Sequence, residues 1–159
     1  VLSQRLEDLP VVAPDVGSSK MARGYANRLG GELAIVDKRR VSGVDVEVGD
    51  VIGDVDGRNV LLIDDMISTA GSITEAARVC HVRGAKSVRI AASQGVLCGP
   101  ARERLSAAPV EVIVLTETIP VDTTVLPKLN VLRIAPLLAE AMMRVHTEQS
   151  LSVRVNRAL

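Results

Sequence analysis

The chain is predicted to be an α/β protein: a three-layer, mostly parallel twisted sheet with helices on both faces and a β-hairpin projecting as a flap. Three observations predict it. Aliphatic runs such as Val-Leu-Leu-Ile at 60–63 are too short for a helix and apolar on both faces, as strands covered on both sides are. Stretches with helical spacing follow these runs, and strands alternating with helices imply parallel pairing through right-handed crossovers. Small-residue and acidic turns join strand to helix, so the side chains in them gather at one sheet edge, where open α/β sheets bind ligands.

Taken in order, residues 1–8 read as a helix end or connector, and the start at Val1 without Met suggests a piece of something longer. Leu-Pro-Val-Val-Ala at 9–13 is a buried strand, and Pro-Asp-Val-Gly-Ser-Ser at 14–19 is a strand-to-helix turn. Met21, Ala22, Tyr25, Ala26 and Leu29 recur at helical spacing, and Gly30-Gly31 stops that helix. Residues 33–36 form a strand running into Asp37-Lys38-Arg39-Arg40. Residues 43–48 alternate apolar and acidic types, Gly49-Asp50 turns, and 51–55 return, which predicts the hairpin.

Beyond the strand at 60–63, Ile-Thr-Glu-Ala-Ala-Arg-Val at 73–79 opens a helix that runs to Arg83 and is closed by Gly84. A strand at 87–92, a turn at Ser93-Gln94-Gly95 and a helix around 101–105 make the next unit. Strands at 110–115 and 131–134 follow, and Pro136 sits at a helix start, where proline is tolerated. Leu137, Leu138, Ala141 and Val145 give that last helix an apolar face, and His146 near its end reads as an exposed helix histidine.

With 159 residues, 47% hydrophobic and 24% charged, the chain suits one domain with a buried core and is not of disordered type. No apolar run approaches the length of a membrane-spanning helix. Its 19 basic and 19 acidic residues balance, and Trp and Phe are absent, which argues against a nucleic-acid partner. Cys80 and Cys98 stand singly and read as reduced, structural thiols, in keeping with the cytoplasm.

The chemistry concentrates after the strand at 60–63. Asp64 and Asp65 come as it emerges, followed by Ser68, Thr69, Ala70, Gly71 and Ser72 at the mouth of a helix. Small residues there present free backbone N–H groups and the positive end of the helix dipole, which suit a phosphate monoester. Carboxylates repel phosphate but suit hydroxyls, so the pattern points to a sugar phosphate. The competing reading is that the acids cap a loop and that Thr69 or Ser72 is merely the N-cap of the helix. Asp15, with Gly17, Ser18 and Ser19, has the character of a diphosphate and Mg²⁺ turn, or of an ordinary Pro-Asp-x-Gly turn. Lys38, Arg39 and Arg40 leave a strand at the same edge, where a hairpin would carry them over a bound phosphate.

Residues 63–72, Ile-Asp-Asp-Met-Ile-Ser-Thr-Ala-Gly-Ser, resemble the ribose-phosphate motif of type I phosphoribosyltransferases and, more closely, of ribose-phosphate pyrophosphokinases. Ser68 stands where that motif usually has Asp, and Ser72 where it has Thr. Asp-Lys-Arg-Arg at 37–40 is similar to the pyrophosphokinase flap, with Lys38 and Arg40 on its two functional cations. Pro-Asp-Val-Gly-Ser at 14–18 resembles the family's Pro-Asp-x-Gly-Gly turn, and the tracts at 116–120 and 135–146 also match. The likeness spans about 10–150 and implies a single phosphoribosyltransferase-like domain, 1–159, corresponding to the C-terminal half of such an enzyme.

The resemblance implies transfer of diphosphate from ATP to the 1-hydroxyl of ribose 5-phosphate with Mg²⁺, yielding phosphoribosyl pyrophosphate and AMP, in a homo-oligomer. Lys38 and Arg40 would be catalytic, and Asp15 would serve the metal. Asp64, Asp65, Ser68, Thr69, Ala70, Gly71 and Ser72 would bind ribose 5-phosphate. Without the N-terminal half, the isolated chain is expected to be weakly active or inactive, with exposed aliphatic surface where that half packed. A nucleobase phosphoribosyltransferase and a non-catalytic relative of the synthetase are the alternatives.

Overall fold

The computed structural model describes residues 9–37 and 49–151. In chain order these give β1 (Val11–Ala13), α1 (Ser19–Leu29), β2 (Leu33–Asp37), β3 (Asp50–Ile52), β4 (Asn59–Ile67) and α2 (Gly71–Val82). Then follow β5 (Ser87–Gly95), α3 (Ala101–Ala107), β6 (Val112–Thr116), a short 3-10 turn (Thr123–Val125), β7 (Leu129–Leu132) and α4 (Ala135–His146).

Side-chain alternation along the strands sorts the core into two layers. Val11 and Ala13 pack with Ala22 and Ala26 of α1, whereas Val12 between them faces the larger core on the opposite side. That larger core joins Val60, Leu62, Ile90 and Ile113 of the sheet to Ile73, Ala77 and Cys80 of α2 and to Leu105 of α3. Helices therefore lie on both faces, as predicted. Gly30 ends α1 in the left-handed conformation, φ 68°, and its N–H reaches back to the Ala26 carbonyl. A residue with a Cβ would be strained there.

The seven strands are ordered β3-β2-β1-β4-β5-β6-β7. All neighbours are parallel except β2 and β3. From β1 the chain crosses by α1 to β2 on one side, and from β4 it crosses by α2 to β5 on the other. The carboxyl ends of β1 and β4 therefore flank the point where the winding reverses, the place in such sheets where a crevice opens.

Three readings of the sequence need correction. The returning arm expected at 51–55 is β3, and it pairs antiparallel with β2, Ile35 opposite Ile52, so it lies in the main sheet. The first arm, 43–48, lies outside the described residues. Ser93-Gln94-Gly95, read as a turn, is the end of β5: its ladder with β4 continues through Met66 opposite Gln94 and Ile67 opposite Gly95. Pairing with a neighbour there overrides the weak strand preference of Ser, Gln and Gly. The last strand is Leu129–Leu132, two residues earlier than its aliphatic run suggested, because Leu129 is the residue that enters the core.

The final helix forms as its pattern predicts, with Pro136 in its first turn, yet none of its residues is buried. Leu137, Leu138, Met142, Met143 and Val145 are all exposed, and His146 ends the helix in solvent. No helix among the described residues is long and apolar enough to cross a membrane.

Candidate functional site

Two clefts open at the β1–β4 edge and share a wall. One, about 150 Å³, is lined by Asp15, Asp64 and the run from Met66 to Ile73. The other, about 310 Å³, is lined by Asp15, Gly17, Ser18, Met21, Asp64 and Asp65. Asp15 and Asp64 belong to both, so the fold brings together two loops that are about fifty residues apart in the chain.

The first loop braces itself. One carboxylate oxygen of Asp15 accepts the Ser18 N–H at 2.9 Å and the Ser18 hydroxyl at 3.0 Å, and that hydroxyl also donates to the Asp15 carbonyl at 3.1 Å. A Cβ at Gly17 would come 3.2 Å from the same carboxylate oxygen. The ordinary-turn reading of this stretch is therefore correct locally, while the carboxylate still forms part of the cleft wall.

The second loop is braced from outside. The Ile67 and Ser68 carbonyls accept the N–H groups of Leu97 and Cys98, each at 3.1 Å. The Thr69 carbonyl accepts Nη1 of Arg104 at 3.0 Å. The Ala70 carbonyl accepts the N–H of Thr74 at 3.1 Å and its buried hydroxyl at 2.7 Å. Carbonyls that would repel an anion are thus occupied elsewhere. Among the described residues, no N–H from Thr69 to Ile73 finds a carbonyl, and the Thr69 and Ser72 hydroxyls make no hydrogen bond.

The N-cap reading of Thr69 or Ser72 fails. The cap position of α2 is Ala70, in the left-handed conformation at φ 60°, and no side chain caps the helix. An uncapped helix start with its N–H groups and dipole facing a cleft is an anion-binding arrangement. Ser68 faces Cys98, its hydroxyl 3.3 Å from the thiol sulfur, rather than the pocket acids.

Asp64 and Asp65 stand on β4 itself, since the strand runs on to Ile67. Asp64 is half-buried, and one of its oxygens accepts the Asp65 N–H at 2.9 Å. Burial is the main cause that pushes its carboxyl up to about 6; the Asp65 N–H opposes this, and the Asp65 and Asp15 carboxylates reinforce it. A cation in the shared wall would relieve that crowding. Among the described residues, no three His, Cys, Asp or Glu side chains are placed to hold a metal by themselves. Mg²⁺ ordinarily takes one or two carboxylates and completes its shell with phosphate and water, and the Asp15 and Asp64 pair fits that demand. Lys38 and Arg40 lie outside the described residues.

The profile of the family described as "Phosphoribosyl synthetase-associated domain" matches residues 46–156, most of the chain. The chain belongs to this family. Ribose-phosphate pyrophosphokinases are its near relatives: it is 54% identical to that of Rhodopirellula baltica over 92% of its own length and 47% of the relative's. It is 45% identical to that of Synechocystis, over 94% of its length and 46% of the relative's. The chain thus spans about half the length of the curated relatives it matches. Among solved structures, phosphoribosylpyrophosphate synthetase from Mycobacterium smegmatis superposes with a TM-score of 0.80 at 40% identity, over 89% of this chain and 46% of that one. Orotate phosphoribosyltransferase from Aeropyrum pernix shares the fold, with a TM-score of 0.56 at 24% identity, over 69% of this chain and 60% of that one. The phosphoribosyltransferase-like fold expected from the sequence is the one observed.

Sequence reading missed Arg104. Its contact spans 35 residues to Thr69 and carries no local signature. The available hint was Gly99-Pro100, which starts α3 close behind β5 and so fixes which helix stands beside the second loop.

Proposed function

We propose that the chain is the ribose 5-phosphate half of a ribose-phosphate pyrophosphokinase, which transfers diphosphate from ATP to the sugar's 1-hydroxyl and yields phosphoribosyl pyrophosphate and AMP. The observation that carries this reading is the second loop: an uncapped helix start with free N–H groups from Thr69 to Ile73, beside two carboxylates on β4. Phosphate and vicinal hydroxyls are the groups such a pair of surfaces complements. Relatives named ribose-phosphate pyrophosphokinase support it.

In this reading Thr69, Ala70, Gly71 and Ser72, with Ser68 at the rim, hold the 5-phosphate. Asp64 and Asp65 take the ribose hydroxyls. Asp15, with Asp64, would hold Mg²⁺, whose charge would offset that of the diphosphate. Lys38 and Arg40, assigned by resemblance, close over the transferring group. Catalysis then rests on positioning and charge stabilisation, as phosphoryl-type transfer demands. The family reading also implies a homo-oligomer and a cytoplasmic setting. The other half of the polypeptide would cover the bare apolar residues of α4.

Calorimetric titration of the chain with ribose 5-phosphate and Mg²⁺ tests this, beside an Asp64→Ala, Asp65→Ala variant. Binding is expected for the parent chain and a loss of at least about tenfold in the variant, the scale of one charge-assisted hydrogen bond. Failure of the parent chain to bind would overturn the sugar-phosphate reading and favour a non-catalytic relative.

A further inference from the structure

Among the ties that hold the second loop, the one on Thr69 differs in kind. Ile67 and Ser68 are held by backbone N–H groups and Ala70 by Thr74 of its own helix, but the Thr69 carbonyl is held by a side chain alone, the Arg104 guanidinium of α3. Among the described residues no carboxylate lies within 4.0 Å of that guanidinium, so its charge is not neutralised locally. It also rests against Gly71, where a Cβ would come 3.2 Å from Nη1.

The peptide geometry gives this contact a consequence. In a trans peptide the C=O of one residue and the N–H of the next point in opposite directions. Holding the Thr69 carbonyl on the α3 side therefore turns the Ala70 N–H away from α3. Ala70 lines the cleft and Arg104 does not. Were the carbonyl released, the same peptide could flip and present oxygen to an anion. Ala70 already sits in the left-handed region, so this peptide has no preference of its own strong enough to prevent that.

We propose that Arg104 is a positioning residue of the phosphate loop: by gripping the Thr69 carbonyl it aims the Ala70 N–H at a bound phosphate monoester, and its unpaired charge favours that anion from behind the loop. The assignment rests on the phosphate-binding reading of this loop, and the sugar is immaterial to it. Arginine suits the task because a planar guanidinium keeps its charge and fixes the direction of its N–H bonds.

Two-dimensional ¹H–¹⁵N NMR of the whole chain tests it, with ribose 5-phosphate and inorganic phosphate as separate probes. The observed signals are the amides of residues 69–73, for the parent, Arg104→Gln and Arg104→Lys. The expected result is that ribose 5-phosphate moves these amides in the parent, that Arg104→Gln weakens binding by about tenfold or more, and that Arg104→Lys recovers part of the loss. The ligand-free spectra should differ between parent and Arg104→Gln chiefly at these amides, with the rest of the sheet unchanged. A brace between helices and nothing more would lower the melting temperature and leave affinity intact; that result overturns the proposal. Equal affinity in parent and Arg104→Gln does so too, and leaves the sugar-phosphate reading standing. If only inorganic phosphate moves the amides, with the same dependence on Arg104, the proposal holds and the sugar reading falls. If neither probe moves them, both fall.

Discussion

The two loops at the β1–β4 edge solve the same problem in opposite ways. The loop after β1 ties its acid down internally, Asp15 accepting from both the N–H and the hydroxyl of Ser18. The loop after β4 is held by donors from β5's following segment, α3 and the second turn of α2, and keeps its own N–H groups and hydroxyls unspent. A loop that braces itself contributes to stability; one braced from outside retains donors for a ligand. The difference teaches that a site is better recognised by which groups are left unsatisfied than by how polar a turn is.

The contrast is tested most strongly by Asp15→Ala. Removing the acceptor of two part-buried hydrogen bonds should cost about 1–2 kcal/mol, seen as a lower urea midpoint at an unchanged slope. An unchanged midpoint with abolished ligand binding would break the contrast, since Asp15 would then serve the ligand alone.

Thr74→Val sharpens it from the other side. The substitution keeps the volume close and removes the buried hydroxyl that donates to the Ala70 carbonyl, at a cost of about 1 kcal/mol. Because that hydroxyl holds the loop to the first residues of its own helix, weaker ribose 5-phosphate binding should accompany the loss in a calorimetric titration. Stability lost with affinity kept would show that bracing and binding are independent.

The smallest effect is in the pH dependence of stability. Asp64 is raised from its ordinary 3.8 to about 6 in the fold, chiefly by burial. The folded chain therefore holds that proton more tightly than the unfolded chain does. The contribution favours the fold below about 4, declines as pH rises from there to about 6, and is constant above. Urea midpoints measured from pH 4 to 7 should show the decline in the parent and a flatter profile in Asp64→Asn. Identical profiles would remove Asp64 as the cause.

The fold was legible because aliphatic runs such as 60–63 and the helical spacing of Met21, Ala22, Ala26 and Leu29 mark the side that packs on the sheet, although Tyr25 in the same series is exposed. Strand ends were less so. Gln94 and Gly95 are held in register by Met66 and Ile67 across the ladder, and that pairing is not a local property. Of the candidate site, the residue types and their order were legible, and so was the convergence of Asp15 with the residues from Asp64 to Ser72 on one edge. The division of labour between the loops was not, since it depends on Leu97, Cys98 and Arg104, roughly thirty residues downstream. The final helix was legible as an element, yet its pattern could not say what lies against it.

Among the described residues the β4–β5 ladder is the longest in the sheet, with eight residue pairs from Asn59 to Ile67, and it ends where the second loop begins. Asp64 and Asp65 thus stand within the most extensively paired stretch of strand, while the amides a few residues later are free of any ladder, and segments with few backbone bonds open locally at lower cost than core strands. Local opening of the loop would therefore leave the β4 carboxylates in place and the sheet intact.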